Sequence, residues 1–260
     1  MAQAPGPVTI VTGSSRGIGL AIAAALARDG HRLVLVARDG DRLAEAASKL
    51  QTVGAEVATY AADLGQPSSV DDVIRATEEH FGPPDVVVNN AGTAPSDKIE
   101  ATTAAMMHEA FALHVAAPLA FARGCAADMK RRGSGCFLQL ASTAGLRGYP
   151  FTSAYTAAKH GMVGLTRALH AELSPKGVHV YAVCPGFVDS DITRGAAAAI
   201  AAKGATTAAD ALDLMGQQNR IGRMHTCEEV ADAVAYLLRD RPAGCIFELD
   251  RDPAAFIDGI

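Results

Sequence analysis

Tyr155 and Lys159 stand four residues apart, and Ser142 lies thirteen residues before the tyrosine, in the run S-T-A-G-L-R-G-Y-P-F-T-S-A-Y-T-A-A-K. On a helix, residues i and i+4 share one face, a turn apart. A lysine ammonium so placed lowers a phenol pKa from its ordinary value of about 10. A phenol tuned in this way exchanges a proton with a carbonyl or an alcohol near neutral pH, and a serine hydroxyl can hydrogen-bond the same oxygen. Together the three side chains can move a proton while a cofactor moves a hydride. Many helices carry a Tyr-x-x-x-Lys pair that only decorates a surface, so its meaning depends on what the rest of the chain builds around it.

The elements that would position these groups alternate along the chain. Short apolar strands are expected at Val8–Thr12, Arg32–Ala37, Glu56–Tyr60, Asp85–Asn89, Cys136–Ala141, Val178–Cys184 and Cys245–Leu249. Helices are expected between them: an alanine-rich one to about Asp29, Asp39–Leu50, one started by Pro67, a long one from about Thr103 to Arg131, Ser153–Leu173 and Cys227–Leu238. Apolar strands separated by helices imply a parallel sheet covered on both faces, doubly wound and Rossmann-like, in a single α/β domain. The alanine- and threonine-rich stretch from Asp191 to Gln218 follows the sixth strand, where ligands bind in this architecture. A substrate lid and an ordinary surface helix pair are equally good readings of it.

The first strand runs into T-G-S-S-R-G-I-G, residues Thr12 to Gly19, which opens a helix. Gly13 allows a tight turn, Gly17 lets the backbone approach a pyrophosphate, and Gly19 permits close helix packing. The helix start adds N–H donors beside Ser15 and Ile18 and the positive end of a dipole. No acid ends the second strand to meet a ribose hydroxyl. Arg38 stands there instead, and Arg16 is a second cation, a combination that suits a 2′-phosphate. NADP(H) is therefore preferred over NAD(H). In the alternative, Arg38 pairs with Asp39 or Asp41 on the surface.

The chain has 260 residues, nearly half of them apolar, and a formal net charge of −5. That is enough for a sizeable core, and no basic field points to nucleic acid. The five cysteines, Cys125, Cys136, Cys184, Cys227 and Cys245, are scattered and form no C-x-x-C, so buried free thiols are expected, with neither disulfides nor a metal site. No apolar run approaches the ~20 residues of a membrane span without interruption. With no room for a signal peptide before the first strand, a soluble cytoplasmic protein is expected, with no membrane partner.

T-G-S-S-R-G-I-G, A-D-L at Ala62 to Leu64, N-N-A-G at Asn89 to Gly92, Ser142, Tyr155-x-x-x-Lys159 and Pro185-Gly186 occur in order over roughly residues 7 to 240. In this the chain resembles the short-chain dehydrogenase/reductase family. The resemblance implies that Asp63, with Leu64 beside it, contacts the adenine amino group, and that Asn90, Ala91 and Gly92 line the adenosine ribose. Pro185, Gly186, Val188 and Ser190 would border the nicotinamide. Tyr155 would be the general acid for reduction. Lys159 would hold the nicotinamide ribose and lower the tyrosine pKa, and Ser142 would orient the carbonyl.

Three departures stand out. The family's fourth catalytic residue is an asparagine in the long helix, where F-A-L-H-V-A-A-P places His114. Pro118, four residues on, has no N–H for the carbonyl of residue 114, which leaves that carbonyl free to hold the water that links the lysine to solvent in the family. His114 is thus expected to be compatible with catalysis and to titrate near ~6.5. In the alternative it merely fills helix space. Tyr181 replaces a common asparagine and should alter packing or strand-end hydrogen bonds. The C-terminus, F-E-L-D-R-D-P-A-A-F-I-D-G-I, lacks the family's apolar D-G-G-like ending, which weakens tetramer contacts carried over from the family. A homodimer or homotetramer is expected.

For the substrate, Ala144 and Thr152 stand where the family's hydroxybutyrate dehydrogenases hold a carboxylate with His and Lys. The expected wall is Thr93 to Ser96, Ala144, Leu146, Arg147, Tyr149, Phe151, Phe187 and the 191–218 segment. It suggests a ketone or secondary alcohol with an apolar body; Arg147 could touch an acidic group, although a loop arginine is more simply solvated. The alternatives are a 3-oxoacyl-thioester or polyketide ketoreductase and, in a different class, a nucleotide-binding regulatory protein weakened in catalysis.

Overall fold

The computed structural model describes residues 5–257, apart from 67, 203 and 205. Its strands are β1 (Val8–Thr12), β2 (Arg32–Ala37), β3 (Val57–Ala61), β4 (Val86–Asn89), β5 (Gly135–Leu140), β6 (Val178–Cys184), β7 (Ile246–Glu248) and β8 (Ala255–Phe256). They form one sheet in the order β3-β2-β1-β4-β5-β6-β7-β8. All neighbours run parallel except the last pair, where β8 turns back antiparallel on β7. The parallel sheet agrees with the sequence expectation, and β8 was missed because two residues leave no period to read.

The helices are α1 (Gly17–Arg28), α2 (Gly40–Gln51), α3 (Ser69–Phe81), α4 (Ala104–Phe111), α5 (Ala117–Arg132), α6 (Ser153–Leu173), α7 (Asp191–Ala201), α8 (Ala208–Gln217) and α9 (Cys227–Asp240). Pro67, expected to start α3, lies outside the described residues. Strand alternation assigns each side chain to a face. Val86, Val88, Leu138 and Val183 pack with α1, α2 and α9, while Val87, Phe137 and Val180 pack with α3 and α5. Local capping fixes the helix starts: Asp39 accepts from Arg42 N, Thr103 from Met106 N, and Thr226 forms a capping box with Glu229.

The long helix departs from expectation. Residues Ala112–Ala116 form a π turn between α4 and α5, and the Ala117 N–H reaches back five residues to Ala112 O. Pro118 offers no N–H either to His114 O, four residues back, or to Leu113 O, five back. The run Ala104–Arg132 is also long and apolar enough to cross a bilayer by length and composition, contrary to the sequence reading. Its Phe121, Cys125 and Met129 pack into the core instead. Four of the five cysteines are buried and Cys227 partly so, and Cys125, Cys136, Cys184 and Cys227 are free thiols. Burial pushes the Cys125, Cys136 and Cys184 thiols up to about 12. Tyr181, fully buried in the middle of β6, donates to Pro242 O in the loop after α9 at 2.9 Å.

Candidate active site

The chain order reverses between β1 and β4, which opens a groove at the carboxyl ends of the strands. On one side of it lies the Gly-rich turn. Gly13 is left-handed (φ 65°), and a Cβ there would stand 2.8 Å from Ala91 Cα. A Cβ at Gly19 would collide with Gly13 O, whereas Gly17 has nothing within 4 Å of that point. The start of α1 has neither a side-chain cap nor an acid in its first turn, so its N–H groups and dipole remain available to an anion. These features fit the diphosphate of a dinucleotide.

Hydroxyls and amides hold this turn in place. Thr12 Oγ1 accepts from Asn90 N and Ala91 N, both at 2.9 Å. Asn90 Nδ2 donates to Thr12 O at 2.9 Å and Gly13 O at 3.1 Å. Ser14 Oγ donates to Val11 O and accepts from Val36 N. Asn90, expected to line a ribose, thus has its amide committed to the turn, with Ala91 and Gly92 following it. Asp63 is exposed at the end of β3, beside buried Leu64, and accepts from Gly65 N at 3.1 Å.

Arg38 is exposed and makes no ion pair among the described residues, because Asp39 caps α2 and pairs with Arg42. The surface-pair alternative for Arg38 therefore does not hold. Arg16 differs from expectation: it pairs with Asp191 of α7 at 2.8 Å, both side chains half-exposed. Ser15, Arg16, Gly17, Arg42, Lys49, Asp191 and Arg194 border a cleft of about 610 Å³. A second cavity, about 350 Å³, lies between Thr93–Pro95 and α4. Neither is lined by Ser142 or Tyr155, which are half-buried at the groove itself.

Ser142, Tyr155 and Lys159 come together. Ser142 follows β5, accepts from Ala144 N at 3.1 Å, and hydrogen-bonds the Tyr155 phenol. Burial pushes Tyr155 up to about 12, and the bond to Ser142 pulls against it. Lys159 Nζ donates to Leu140 O at 2.5 Å and lies 5.6 Å from the Tyr155 ring centroid. Burial brings its ammonium down to about 7. Here burial outweighs what lowers the phenol pKa, and the group that pulls it down is Ser142.

His114 sits in the π turn, buried, with its ring edge-on to Tyr155 at 5.7 Å between centroids. Its Nε2–H donates to Thr93 O at 2.8 Å, which leaves Nδ1 as a bare acceptor with no partner among the described residues. Burial and the nearby Lys159 charge push its pKa down to about 3. The expected titration near neutral pH is thereby overturned. A Cβ at Gly92 would stand 2.6 Å from His114 Cε1, so this ring requires a glycine opposite it.

A model of the short chain dehydrogenase family matches residues 7–201. This chain belongs to that family. A D-beta-hydroxybutyrate dehydrogenase from Rhizobium meliloti is 34% identical over 90% of this chain and 92% of its own length. The L-sorbose reductase of Gluconobacter frateurii, solved with NADPH and L-sorbose, superposes with a TM-score of 0.88 at 29% identity, over 98% of each chain. A variant of actinorhodin polyketide ketoreductase, solved with NADPH, superposes with a TM-score of 0.86 at 31% identity, over 92% of each chain. The protein is an oxidoreductase of carbonyl or alcohol groups.

The substrate side of this short-chain dehydrogenase holds what the sequence missed. Thr143 N donates to Pro185 O at 2.8 Å, which ties the Ser142 loop to the Pro185-Gly186 turn. Buried Asn219 clamps Phe187, accepting from its N at 2.7 Å and donating to its O at 2.9 Å. Val188 is buried, and Ser190 caps α7. Arg147 is not a solvated loop residue. Its Nη2 meets the fully buried Asp250 at 2.9 Å, and its Nε donates to Tyr149 OH at 2.9 Å. Tyr149 OH bonds Thr143 Oγ1 at 2.8 Å, and Asp250 also accepts from Arg220 N. The atypical C-terminus is therefore joined to the site. The signal for this was a pair of acids, Glu248 at the end of an apolar strand and Asp250 just after it.

Proposed function

We propose that the protein reduces ketones, and oxidises the corresponding secondary alcohols, with NADP(H). The observation that carries this reading is the convergence of Ser142, Tyr155 and Lys159 at the groove beside the Gly-rich turn. The Gly-rich turn and α1 would hold the diphosphate and Arg38 the 2′-phosphate, with Pro185, Gly186, Val188 and Ser190 beside the nicotinamide. The bound cofactor supplies or accepts the hydride. Ser142 orients the substrate oxygen, and Tyr155 donates its phenolic proton there. A phenol held near 12 is fully protonated at neutral pH, and an alkoxide is a stronger base than a phenolate, so the proton moves downhill in the reducing direction. Alcohol oxidation needs the phenolate and should quicken as pH rises. Lys159, near 7, is poised to return a proton. His114 is a positioning residue: neutral and held in one tautomer by Thr93, it packs on the Tyr155 ring.

The substrate carries an apolar body. Overall likeness to a hydroxybutyrate dehydrogenase does not carry its acid substrate over, since Ala144 and Thr152 offer no cation. A polyketide or 3-oxoacyl-thioester ketoreductase is the second reading, favoured by the actinorhodin ketoreductase likeness. The 191–218 segment, seen as α7 and α8, is read as a lid, and a homodimer or homotetramer as the assembly. NADPH oxidation over a ketone panel tests the function, repeated with NADH and with Arg38→Gln. Tyr155→Phe should cost roughly 10²–10⁴-fold in kcat and leave NADPH affinity unchanged. NADPH binding without turnover in either direction on any panel member would refute the reductase.

A further inference from the structure

Two non-glycine residues among those described have a positive φ: Arg241 at 47° and Phe151 at 65°. Arg241 ends α9, a place where left-handed residues commonly close a helix. Phe151 closes no helix. It stands between Tyr149 and the start of α6, and its Cβ works against that backbone conformation. Its ring gains no burial in return, being 62% exposed.

The surrounding chain enforces the conformation. Asp97 N donates to Phe151 O at 2.8 Å, which bridges the loop after Gly92 to the loop after Ser142. Thr152 Oγ1 holds Tyr149 O at 2.9 Å and Thr156 Oγ1 at 2.8 Å. Ile99, two residues beyond Asp97, is 69% exposed. Tyr149, two residues before Phe151, packs edge-on against Phe187, and its hydroxyl is already engaged by Arg147 and Thr143. It thus offers the site an aromatic surface in place of a free hydroxyl. Strain retained at a site edge is a functional signature when the surroundings over-determine it.

We propose that Phe151 is a substrate-contacting residue: its strained backbone holds an apolar ring at the mouth of the site, where it selects ketones whose body carries a second ring. This rests on the ketone-reductase reading and names the substrate class within it.

Kinetics with NADPH on cyclohexanone and 4-phenylcyclohexanone test it, using wild type, Phe151→Ala and Phe151→Gly. Phe151→Ala removes the ring but keeps a Cβ, and Phe151→Gly removes both. Both variants should raise KM for 4-phenylcyclohexanone by about five- to tenfold more than KM for cyclohexanone. Phe151→Gly alone should also raise Tm, by about 2–4 °C. A gain in stability with a loss of affinity is a pairing that a merely structural phenylalanine would not produce. An unchanged KM ratio in Phe151→Ala overturns the proposal. So does a fall in sedimentation mass with the ratio intact, which would make the ring a subunit contact. Turnover of cyclohexanone without turnover of 4-phenylcyclohexanone overturns the inference and leaves the reductase reading standing, and turnover of neither, with none on the wider ketone panel, refutes both.

Discussion

On the nucleotide side of the groove, neutral groups do the positioning. Thr12, Ser14 and Asn90 bond almost entirely to main chain, at the ends of the adjacent strands β1, β2 and β4. On the substrate side, ions do it. Arg147, Arg220 and Arg251 surround the buried carboxylates of Glu248 and Asp250, which the chain brings back from its far end. A hydroxyl–main-chain stitch works whatever residues surround it. A buried charge cluster holds only while every partner is present. The first arrangement suits a ligand shared by a whole family, and the second suits a pocket that differs from one member to the next.

The sharpest way to break this contrast is Gly19→Ala. Its Cβ would strike Gly13 O, a main-chain atom held by Asn90, so NADPH affinity measured by fluorescence titration should fall on the order of 100-fold. Next comes Asp250→Asn, which leaves Arg147 facing a neutral amide. It should cost about 2 kcal/mol in urea unfolding and raise the ketone KM while leaving NADPH affinity unchanged. Equal damage to both ligands would erase the distinction between the two sides.

A further effect separates them by pH. Burial holds Lys159 near 7, below the ~10.4 of an exposed lysine. Below pH 7 folded and unfolded chains both carry the charge, and its burial penalty is full. Between pH 7 and about 10 the unfolded chain keeps a proton that the folded chain has lost, so this residue's contribution to stability rises with pH. The Tm of wild type minus that of Lys159→Met should therefore climb over that window, and a flat difference would contradict it. His114, near 3, should show no shift of its ring Cε1–H signal by NMR between pH 5 and 8. The smallest change is Asp191→Asn. The Arg16–Asp191 pair is half-exposed, so stability should move by less than ~1 kcal/mol, read from the same urea curves.

What the sequence made legible follows the same division. The Gly-rich turn, N-N-A-G and Tyr155-x-x-x-Lys159 are short patterns whose partners lie nearby in the chain or at strand ends in fixed order, so the fold and the nucleotide side could be read before any coordinates. The Arg147–Asp250 pair spans 103 residues and the Arg16–Asp191 pair spans 175. No local period announces such pairings, and an arginine in a loop is indistinguishable from a solvated one until its partner is in place. His114 was misjudged for a related reason: its residue type was visible, but the burial that governs its protonation was not.

The π turn at Ala112–Ala116 can also be described in the language of insertions. It is one extra residue taken up inside a helix, and each residue rotates a helix by about 100°. Ahead of the turn, α4 presents Ala110 inward, and after it α5 presents Phe121, Cys125 and Met129. The wide turn absorbs the added residue, so the apolar stripes on both sides keep their partners, and the bulge it makes carries His114 to Tyr155. Losing a single codon here, at Val115 for example, would leave the helix intact by circular dichroism and the composition almost unchanged. It would also leave the two stripes in phase, because the wide turn is what absorbs the extra residue; what would go is the bulge that carries His114.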